Sequence, residues 1–549
     1  MAQHAPRVLL LYTDPYYIVK QVYPFGLDVI ARYLQERGFH VDIDVPFLPD
    51  ADVAVNLTDI LRRTDPDVVG LGIRNIDTTM ACEAFGNFKA DAFRTVYFVP
   101  GIKKIVEVLK RLRPEVPIVA GGGAFSVAPE AFLEILELDY GIVGEGESPL
   151  ARFLAVFPDQ KKIGKIPGMV YRDGSCVVAN PRAAYRFAEP AAGFARDPGF
   201  AYAFETAGLP VQVKRGCNRG CMYCVEPVIE GKKPIHRNLD AVIEELEFTA
   251  RHQEGVKKIF FVDTEFNVPD LAYASALLTR ILDRRLNERF TFASQFLPRP
   301  FDSSFSDLLA KAGFSIILTA DSFSGRILER CRAPFQRQDI GRALDLCRDC
   351  GIDCTVNLIF GLPGETHETV EETLGEMARR PPAPGRRYEY TIGARIYPGT
   401  PLQRFVKDLP ERRHVFGSCS KDLLAPCFYC SPEPPLALKA YIDERLPAPI
   451  QFHNRCDSSM RQGLAAVYLA DHGRWDEALQ AYCHADLAAQ ARIFDYLFRK
   501  LAGEKRVSQA RHVASTLIDA AARSDDSFRY ADQAAVARYY LQLLEAVPR

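Results

Sequence analysis

Short apolar runs alternate with amphipathic stretches over the first 160 residues of the chain. Apolar runs bounded by polar or turn residues predict buried strands, which lie at Val8–Tyr12, Val41–Val45, Val68–Ile73, Ile118–Ala120 and Tyr140–Val143. Helical spacing of apolar residues predicts the helices between them, at Gly26–Arg37, Asn56–Arg63, Ile102–Leu112 and Pro129–Leu136. This alternation predicts an α/β fold with an open, doubly wound, Rossmann-like sheet that holds ligands at the carboxyl ends of its strands.

A second alternation of strands and helices follows a polar stretch. Residues 161–205 contain the Asp173-Gly174 turn and several prolines, which predicts a linker carrying a small hairpin. Candidate strands then lie at Val211–Lys214, Lys258–Val262, Phe290–Gln295, Ile316–Ala320, Asp353–Phe360 and Glu389–Ile396. The pattern predicts a partial or complete (β/α) barrel over residues 206–434, with its chemistry on loops at the strand ends.

Helical periodicity rich in Ala and Leu replaces the strand pattern over residues 435–549. This predicts an α-helical carboxyl-terminal domain after a first domain at 1–160, the linker and the barrel. The stretch Tyr468–Ala485 resembles one helical-hairpin repeat, and a single copy makes no array. We expect these helices to cap the barrel and shape a substrate pocket, with protein docking as the alternative.

Composition excludes several classes of partner. The 549 residues are 48% hydrophobic with a formal net charge of −2, so no charge bias points to nucleic acid or a membrane surface. The run Val8–Leu11 is too short for a signal peptide. No stretch approaches the roughly 20 apolar residues of a spanning helix. We expect a cytoplasmic monomer that acts on a small molecule.

Three of the fourteen cysteines form a cluster, and the chain's cysteines are expected to be reduced thiols or metal ligands. Cys217, Cys221 and Cys224 follow a predicted strand at C-x3-C-x2-C spacing. Three thiolates on one tight loop can ligate three corners of an iron–sulfur cube, whereas structural zinc needs a fourth ligand nearby. The alternatives are a zinc loop or chance clustering. Cys427 and Cys430 are either further ligands or buried thiols.

The segment 214–224 resembles the signature loop of the radical S-adenosylmethionine (SAM) superfamily, including an aromatic residue, Tyr223, before the last cysteine. The resemblance implies a [4Fe–4S] cluster on the three cysteines, whose open iron chelates SAM. It implies reductive cleavage of SAM to a 5′-deoxyadenosyl radical, and therefore an external one-electron reductant of the flavodoxin or ferredoxin type. It also implies that the Tyr223 backbone lies near the SAM adenine.

Other predicted strand ends match the family's SAM-facing positions. The segment 357–366, with Asn357 and Gly361, resembles the fifth-strand segment that packs on adenine, although an ordinary turn is the alternative. Glu265 would hold the SAM amino group or reach the open iron, unless it is a solvated carboxylate. Gln295 and Asp321 close strands and should point at the barrel mouth, with Asp321 toward the ribose.

The pair Arg395 and Tyr397 closes the sixth predicted strand of the barrel. An arginine beside a tyrosine at a strand end is suited to hold a carboxylate of the substrate or of SAM. We therefore predict a catalytic role for both residues.

A sheet domain before such a barrel resembles the cobalamin-binding subfamily of radical SAM enzymes, over about residues 5–430. Four local matches carry the resemblance and give the expected corrinoid contacts, at Tyr12, Thr13, Asp14; Phe25, Gly26; Gly121, Gly122, Gly123, Ser126; and Gly144, Glu145, Gly146, Glu147. The glycines would let backbone approach the ring or its nucleotide tail, and the glutamates would accept from amide and ribose groups. His4 and His40 stand in no Asp-x-His-x-x-Gly motif, so we expect no histidine on cobalt from this domain.

The segment 72–79 leaves the third strand where the lower face of the corrinoid would rest, and it adds Asn75, Ile76 and Asp77 to the expected contacts. Arg74 resembles the arginine below cobalt in the methyltransferase branch that includes tryptophan 2-C-methyltransferase. The guanidinium of arginine is a cation, so it donates no lone pair to cobalt. Its positive charge also disfavours the more positive Co(III) state. The alternative is a salt bridge to Asp77 or a neighbouring carboxylate.

The resemblance implies a cobalamin-dependent radical SAM enzyme. We expect a C-methyltransferase that moves a methyl group from SAM through methylcobalamin to an unactivated carbon, by a radical or a polar route. One alternative is a cyclase, rearrangement or oxidative enzyme without net methyl transfer. Another is a non-catalytic, regulatory corrinoid-binding protein. No residue of the sequence identifies the substrate.

Overall fold

The computed structural model describes residues 6–14, 22–48, 51–185, 187, 196–409, 412–418, 424–446, 450–452, 460–524 and 530–546. Within these ranges the chain forms two seven-stranded sheets, followed by a run of helices. The predicted α/β class, with a doubly wound sheet, a partial barrel and a helical carboxyl-terminal region, is confirmed. Among the described helices, none is long and apolar enough to cross a membrane.

The first sheet has the strand order β2-β1-β3-β6-β7-β8-β9 and is parallel from β2 to β7. Its central strands are buried on both faces, because helices cover both sides of a doubly wound sheet. From β1 the chain adds β2 on one side of the sheet and β3 on the other. Doubly wound sheets bind ligands at the carboxyl end of this switch point. The elements are β1 Arg7–Tyr12, α1 Phe25–Gln35, β2 His40–Asp44, α2 Val53–Thr64, β3 Val68–Gly72, β4 Phe88–Ala90, β5 Phe93–Thr95, α3 Val99–Leu112, β6 Ile118–Gly121, α4 Gly123–Val127, α5 Pro129–Ile135, β7 Tyr140–Ile142, α6 Glu147–Val156, α7 Gln160–Ile163, β8 Met169–Asp173 and β9 Cys176–Ala179.

The hairpin predicted for the linker is part of the first sheet. Strand β8 pairs antiparallel with β7, placing Tyr171 opposite Tyr140, and β9 continues the sheet. Without this pairing the backbone groups of β7 would form an open edge. The first structural unit therefore extends to Ala179, beyond the predicted boundary at residue 160.

The second sheet is wholly parallel, with the order β10-β13-β14-β15-β16-β17-β21, and forms an open partial barrel. Its last strand, β21, lies beyond the predicted boundary at residue 434. The elements are α8 Ala201–Ala207, β10 Leu209–Val211, β11 Lys214–Arg215, α9 Glu226–Ile229, β12 Ile235–His236, α10 Leu239–His252, β13 Lys258–Phe261, α11 Leu271–Asp283, β14 Thr291–Phe296, α12 Ser303–Lys311, β15 Phe314–Asp321, α13 Gly325–Arg330, α14 Arg337–Asp349, β16 Cys354–Phe360, α15 His367–Arg379, β17 Arg386–Ile392, β18 Ala394–Arg395, α16 Pro401–Lys407, β19 Val415–Gly417, β20 Cys427–Tyr429, α17 Pro435–Asp443 and β21 Gln451–Phe452.

The remaining described helices are α18 Arg461–Asp471, α19 Trp475–His484, α20 Leu487–Gly503, α21 Val507–Ala522 and α22 Ala531–Ala546. Helices α18 and α19 form the helical hairpin that the sequence indicates around Tyr468–Ala485. The amino-terminal part of this region packs on α8 and on the short 3-10 turn Pro198–Phe200. Tyr468 donates a hydrogen bond to Asp44, so the same helix also contacts the end of β2.

Candidate functional site

A cavity of about 1050 Å³ lies between the carboxyl ends of the two sheets. Most of the sequence-predicted site residues line it, namely Tyr12, Phe25, Gly26, Arg74, Asn75, Ile76, Gly121, Gly122, Gly123, Ser126, Gly144, Glu145, Gly146, Glu147, Cys217, Cys221, Tyr223, Cys224, Glu265, Gln295, Asp321 and Tyr397. The others do not line it, namely Thr13, Asp14, Asp77, Asn357, Gly361 and Arg395. The structure thus brings residues predicted to contact the corrinoid and residues predicted to bind the cluster and SAM to one cavity.

The three clustered cysteines face this cavity from a loop that follows β11. Cys217 is buried and Cys221 and Cys224 are partly buried. The loop is held by backbone bonds, including one of 2.9 Å from Met222 N to Cys331 O. Burial raises the pKa of Cys221 to about 12, so metal binding there must displace thiol protons.

The donor set on this loop fits an iron–sulfur cluster. Among the described residues, no three His, Cys, Asp or Glu side chains converge as the ligands of a single ion would. An iron–sulfur cube does not need such convergence, because each thiolate binds a different iron. Three thiols on one cavity wall therefore suit a cube better than a closed zinc site. Away from the cavity, Cys427 is disulfide-bonded, contrary to the expected reduced state, and Cys430 is a buried free thiol.

Two buried carboxylates lie beside the cysteine loop. Asp263 accepts hydrogen bonds from Val213 N at 3.0 Å and Lys214 N at 2.6 Å, which fixes the chain entering the loop. Glu265 Oε2 is buried and has no hydrogen-bond partner within the described part of the chain. Burial raises the pKa of Glu265 to about 8, against the opposing charge of Lys214. An unsatisfied carboxylate oxygen at the cavity wall suits a cationic or metallic ligand.

Tyr223 and Asp321 form a hydrogen-bonded pair at the cavity wall. The Tyr223 hydroxyl donates to Asp321 Oδ1 at 2.6 Å, and burial raises the pKa of Asp321 to about 6. Asp321 therefore has one protein partner, and its expected ribose contact stays a prediction. Gln295 lines the cavity with an exposed side chain.

The expected ligand contacts of Asn357 and Gly361 are not supported. A Cβ at Gly361 would lie 2.6 Å from Cys430 Sγ and 3.0 Å from Gly393 N. The glycine is thus required by packing within the protein, because these neighbours leave no room for a side chain. Asn357 lies on β16 outside the cavity wall, and its buried Oδ1 has no hydrogen-bond partner among the residues that the structure describes.

Arg74 faces the cavity with 46% of its side chain exposed. Its guanidinium lies 3.8 Å from Asp14 Oδ2, so the neighbouring carboxylate is Asp14 and not Asp77. Asn75 Nδ2 also donates to Asp14 Oδ2, at 2.6 Å. Asp14 and Thr13 are buried behind the wall, where Thr13 Oγ1 donates to Gly72 O. Their predicted direct contacts with a ligand are corrected to support of the Arg74 loop.

The glycine-rich turn after β6 packs against the Arg74 loop. Gly122 has φ +102°, and a Cβ there would lie 2.5 Å from Ile73 O. Ala124 N donates to Ile73 O at 3.1 Å. Ser126 Oγ accepts from Gly144 N at 2.9 Å, which joins this turn to the next motif. His40 lies at the other end of the sheet at the start of β2, and His4 lies outside the described residues.

The two glutamates of the Gly144–Glu147 motif are engaged by arginines. Glu145 pairs with Arg182 and Glu147 pairs with Arg215, each at 3.4 Å. Both carboxylates also line the cavity, so their expected role as acceptors for a ligand stays a prediction. Arg215, immediately before the cysteine loop, was missed by sequence reasoning; its position in the segment 214–224 was the available signal.

Arg395 is turned away from the cavity, contrary to its predicted catalytic role. Its Nε donates to Asp77 Oδ2 at 2.6 Å, and both side chains are buried. A buried, paired guanidinium has no donor free for a substrate carboxylate. Asp77, an expected corrinoid contact, does not line the cavity either. Tyr397 does line it.

The described helices α18 to α22 contribute no residue to the cavity wall. The expectation that they shape the pocket is therefore wrong for this part of the chain, whereas capping of the barrel stays a prediction. Helix α18 contacts α8, the 3-10 turn and the end of β2. Helices α19 to α22 pack on α18 and on one another. Docking of a protein, the other possibility, stays open.

Two family models match the chain, the Radical SAM superfamily over residues 211–377 and the B12 binding domain over residues 94–154. A tryptophan 2-C-methyltransferase from Streptomyces laurentii is 28% identical, over 66% of this chain and 69% of the relative. An uncharacterized methyltransferase from Pyrococcus horikoshii is 24% identical, over 67% of this chain and 78% of its own.

Two solved structures share the fold. The radical SAM methyltransferase TsrM from Kitasatospora setae, with cobalamin and a [4Fe–4S] cluster bound, has a TM-score of 0.67 at 23% identity, covering 87% of this chain and 99% of its own. The cobalamin-dependent SAM radical enzyme OxsB, with aqua-cobalamin bound, has a TM-score of 0.64 at 15% identity, covering 98% and 84%.

Proposed function

This chain belongs to the cobalamin-dependent radical SAM enzymes, and from that premise we propose that it is a C-methyltransferase. It would move a methyl group from SAM by way of cobalamin to an unactivated carbon of a small molecule. The observation that carries the proposal is that the cysteine loop and the Arg74 loop face one cavity, although they belong to different sheets. Similarity to tryptophan 2-C-methyltransferase supports methyl transfer over rearrangement.

The cavity residues divide by sheet into two sets of proposed contacts. Cys217, Cys221 and Cys224 would hold the [4Fe–4S] cluster, with SAM between that loop and Glu265, Gln295 and Asp321. Cobalamin would lie against the first sheet and over Arg74. Its further contacts would be the end of β1 and the glycine-rich turns after β6 and β7, at Tyr12, Gly121, Gly122, Gly123, Ser126, Gly144 and Gly146. The bound groups would supply SAM binding and methyl carriage, while the protein positions them and excludes water.

Arg74 is suited to the lower face of a corrinoid. Its side chain is 46% exposed and lines the cavity, where the guanidinium lies 3.8 Å from Asp14 and donates a hydrogen bond to the Tyr12 hydroxyl. Because an arginine stays protonated and offers no lone pair, it would leave cobalt without a protein ligand. This would favour release of the methyl group as a cation, by a polar route.

The test is anaerobic reconstitution with iron, sulfide, cobalamin and methyl-labelled SAM, with dithionite in place of a flavodoxin or ferredoxin. We expect S-adenosylhomocysteine and labelled corrinoid, and a labelled product once the substrate is supplied. Tryptophan is the first candidate substrate, since it is the substrate of a related enzyme. Substrate turnover without a gain of methyl mass would contradict methyl transfer.

A matched pair of triple variants tests the cluster. Replacing Cys217, Cys221 and Cys224 by alanine should abolish iron binding and SAM turnover. Replacing Cys176, Cys350 and Cys483, which lie outside the cavity wall, should leave both unchanged. Iron content equal to that of the wild type in the first variant would refute the cluster assignment.

A further inference from the structure

A long segment of the first unit crosses to the barrel. Residues 73–98, between β3 and α3, carry Arg74 at one end and pack on the last part of the barrel at the other. The rings of Phe93 and Phe428 lie 5.1 Å apart, and Leu436 N donates to Ala92 O at 3.1 Å. The loop below the proposed corrinoid is thus attached to the unit that carries the cysteines.

A deeply buried ion pair, formed by Asp77 and Arg395, attaches this segment to the barrel. The side chains are 0% and 2% exposed. Arg395 Nη1 donates to Ile396 O and Cys427 O, and Nη2 donates to Leu424 O and Ala425 O, at 2.8 to 3.4 Å. Every group of the guanidinium is therefore occupied, and its position within the barrel is strictly defined.

Asp77 uses its two oxygens for different parts of the structure. Oδ2 accepts from Arg395, and Oδ1 accepts from Thr79 N at 2.9 Å, which closes the turn that follows Ile76. Ile76 lines the cavity, and so does Tyr397, two residues after Arg395. One carboxylate therefore connects a cavity-lining turn of the first unit with a cavity-lining strand end of the barrel.

We propose that Asp77 and Arg395 are positioning residues that hold the Arg74–Ile76 turn at a fixed distance from the cysteine loop. A buried ion pair adds little net stability compared with apolar packing, but it specifies one register. On the proposed function, on which this inference rests, that register sets how the methyl donor faces the corrinoid. Misplacement by about 1 Å can cost about 100-fold in rate.

The test compares two changes at the pair. Asp77→Asn with Arg395→Gln removes both charges together, and Arg395→Lys keeps the charge while losing most of the carbonyl bonds. In the protein without cofactors, we expect amide hydrogen exchange at residues 74–79 to rise at least about tenfold in the double variant, and less in Arg395→Lys. Should the double variant fail to fold, Arg395→Lys carries the comparison.

With cobalamin and cluster loaded, formation of S-adenosylhomocysteine should slow by about 100-fold in the double variant at unchanged iron content. The control is Glu245→Gln, which breaks the buried pair with Arg196 away from the cavity. It should lower stability but leave exchange at residues 74–79 and the loaded rate unchanged.

Unchanged exchange at residues 74–79 in the pair variants, or an equal increase in Glu245→Gln, would overturn the proposal. An unchanged loaded rate in the double variant would do the same. The exchange experiment needs no cofactor and so does not depend on the proposed function. A wild type that forms no S-adenosylhomocysteine would count against the proposed function alone.

Discussion

Two arginines at the ends of predicted strands lie in different environments because of partners distant in the sequence. Arg395 meets Asp77, 318 positions earlier, and is buried, whereas Arg74 keeps 46% of its side chain exposed. The apolar pattern predicted both strand ends, but the choice of partner depends on tertiary packing. The cysteine loop could be predicted in full, because its three thiols lie within eight residues of sequence.

Substitution of Arg74 tests its proposed place beside the corrinoid. Arg74→Ala or Arg74→Lys should change the visible spectrum of bound cobalamin, because a different group, or water, would lie next to cobalt. Absorbance of the anaerobically loaded protein measures this change. Arg62→Ala, an exposed arginine on α2, should leave the spectrum unchanged. Identical spectra and activity in the Arg74 variants would defeat the lower-face assignment.

Glu365 should make the stability of the cofactor-free protein depend on pH. Burial raises its pKa to about 8 from 4.5, and Oε1 lacks a partner within the described residues. Between these pH values the folded state binds more protons than the unfolded state. The free energy of unfolding should therefore fall as pH rises from about 4.5 to 8, by up to about 1.4 kcal/mol per pH unit.

Glu365→Gln should remove that part of the slope, because the amide does not titrate. Urea unfolding of the cofactor-free protein at several pH values between 5 and 8 measures it. Glu254→Gln, on the surface after α10, is the control and should retain the wild-type slope. Equal slopes in the wild type and Glu365→Gln would show that Glu365 is ionised in the folded chain.

Helices and strands of the first sheet could be predicted to within a few residues. The predicted helix at Gly26–Arg37 is α1 at Phe25–Gln35, and the predicted strand at Val68–Ile73 is β3 at Val68–Gly72. Periodicity is local, so it predicts an element but not its pairing. This is why the sequence predicts only a linker hairpin at β8 and β9, whereas in the structure these strands extend the first sheet.

The packing of the turn between β6 and α4 can be tested by one substitution. Gly122→Ala should lower the free energy of unfolding by about 1 to 3 kcal/mol, because φ is positive and the new Cβ would meet Ile73 O. It should also weaken cobalamin binding by displacing the adjacent Arg74 loop. Denaturant unfolding and corrinoid titration measure the two effects.

Gly375→Ala is the matched control for this substitution. Gly375 lies within α15, and a Cβ there would meet no atom within 4 Å. Stability should stay the same or rise by about 1 kcal/mol, with unchanged cobalamin binding. Wild-type stability in Gly122→Ala would mean that this turn tolerates a side chain and is not tightly packed on Ile73.

The arrangement of the whole molecule depended on which apolar faces meet, and this could not be predicted from the pattern alone. The helical periodicity after residue 435 indicates that each helix has a buried apolar face, but it does not predict which element packs against that face. In the structure, α18 packs on the segment that joins the two sheets and, through Tyr468, on the first sheet. Helix α18 therefore supports the junction between the sheets from outside the cavity.

Tyr468→Phe tests this supporting role. The Tyr468 hydroxyl donates to Asp44 and accepts from Val45 N at 3.2 Å, and the side chain is buried. Its removal should lower the free energy of unfolding by about 1 to 3 kcal/mol, because Val45 N and Asp44 lose a partner. Iron content and cobalamin affinity should stay at wild-type values. Tyr539→Phe on α22, where the residue is 57% exposed, should change none of the three. Loss of cobalamin affinity in Tyr468→Phe without loss of stability would show that α18 acts on the site directly.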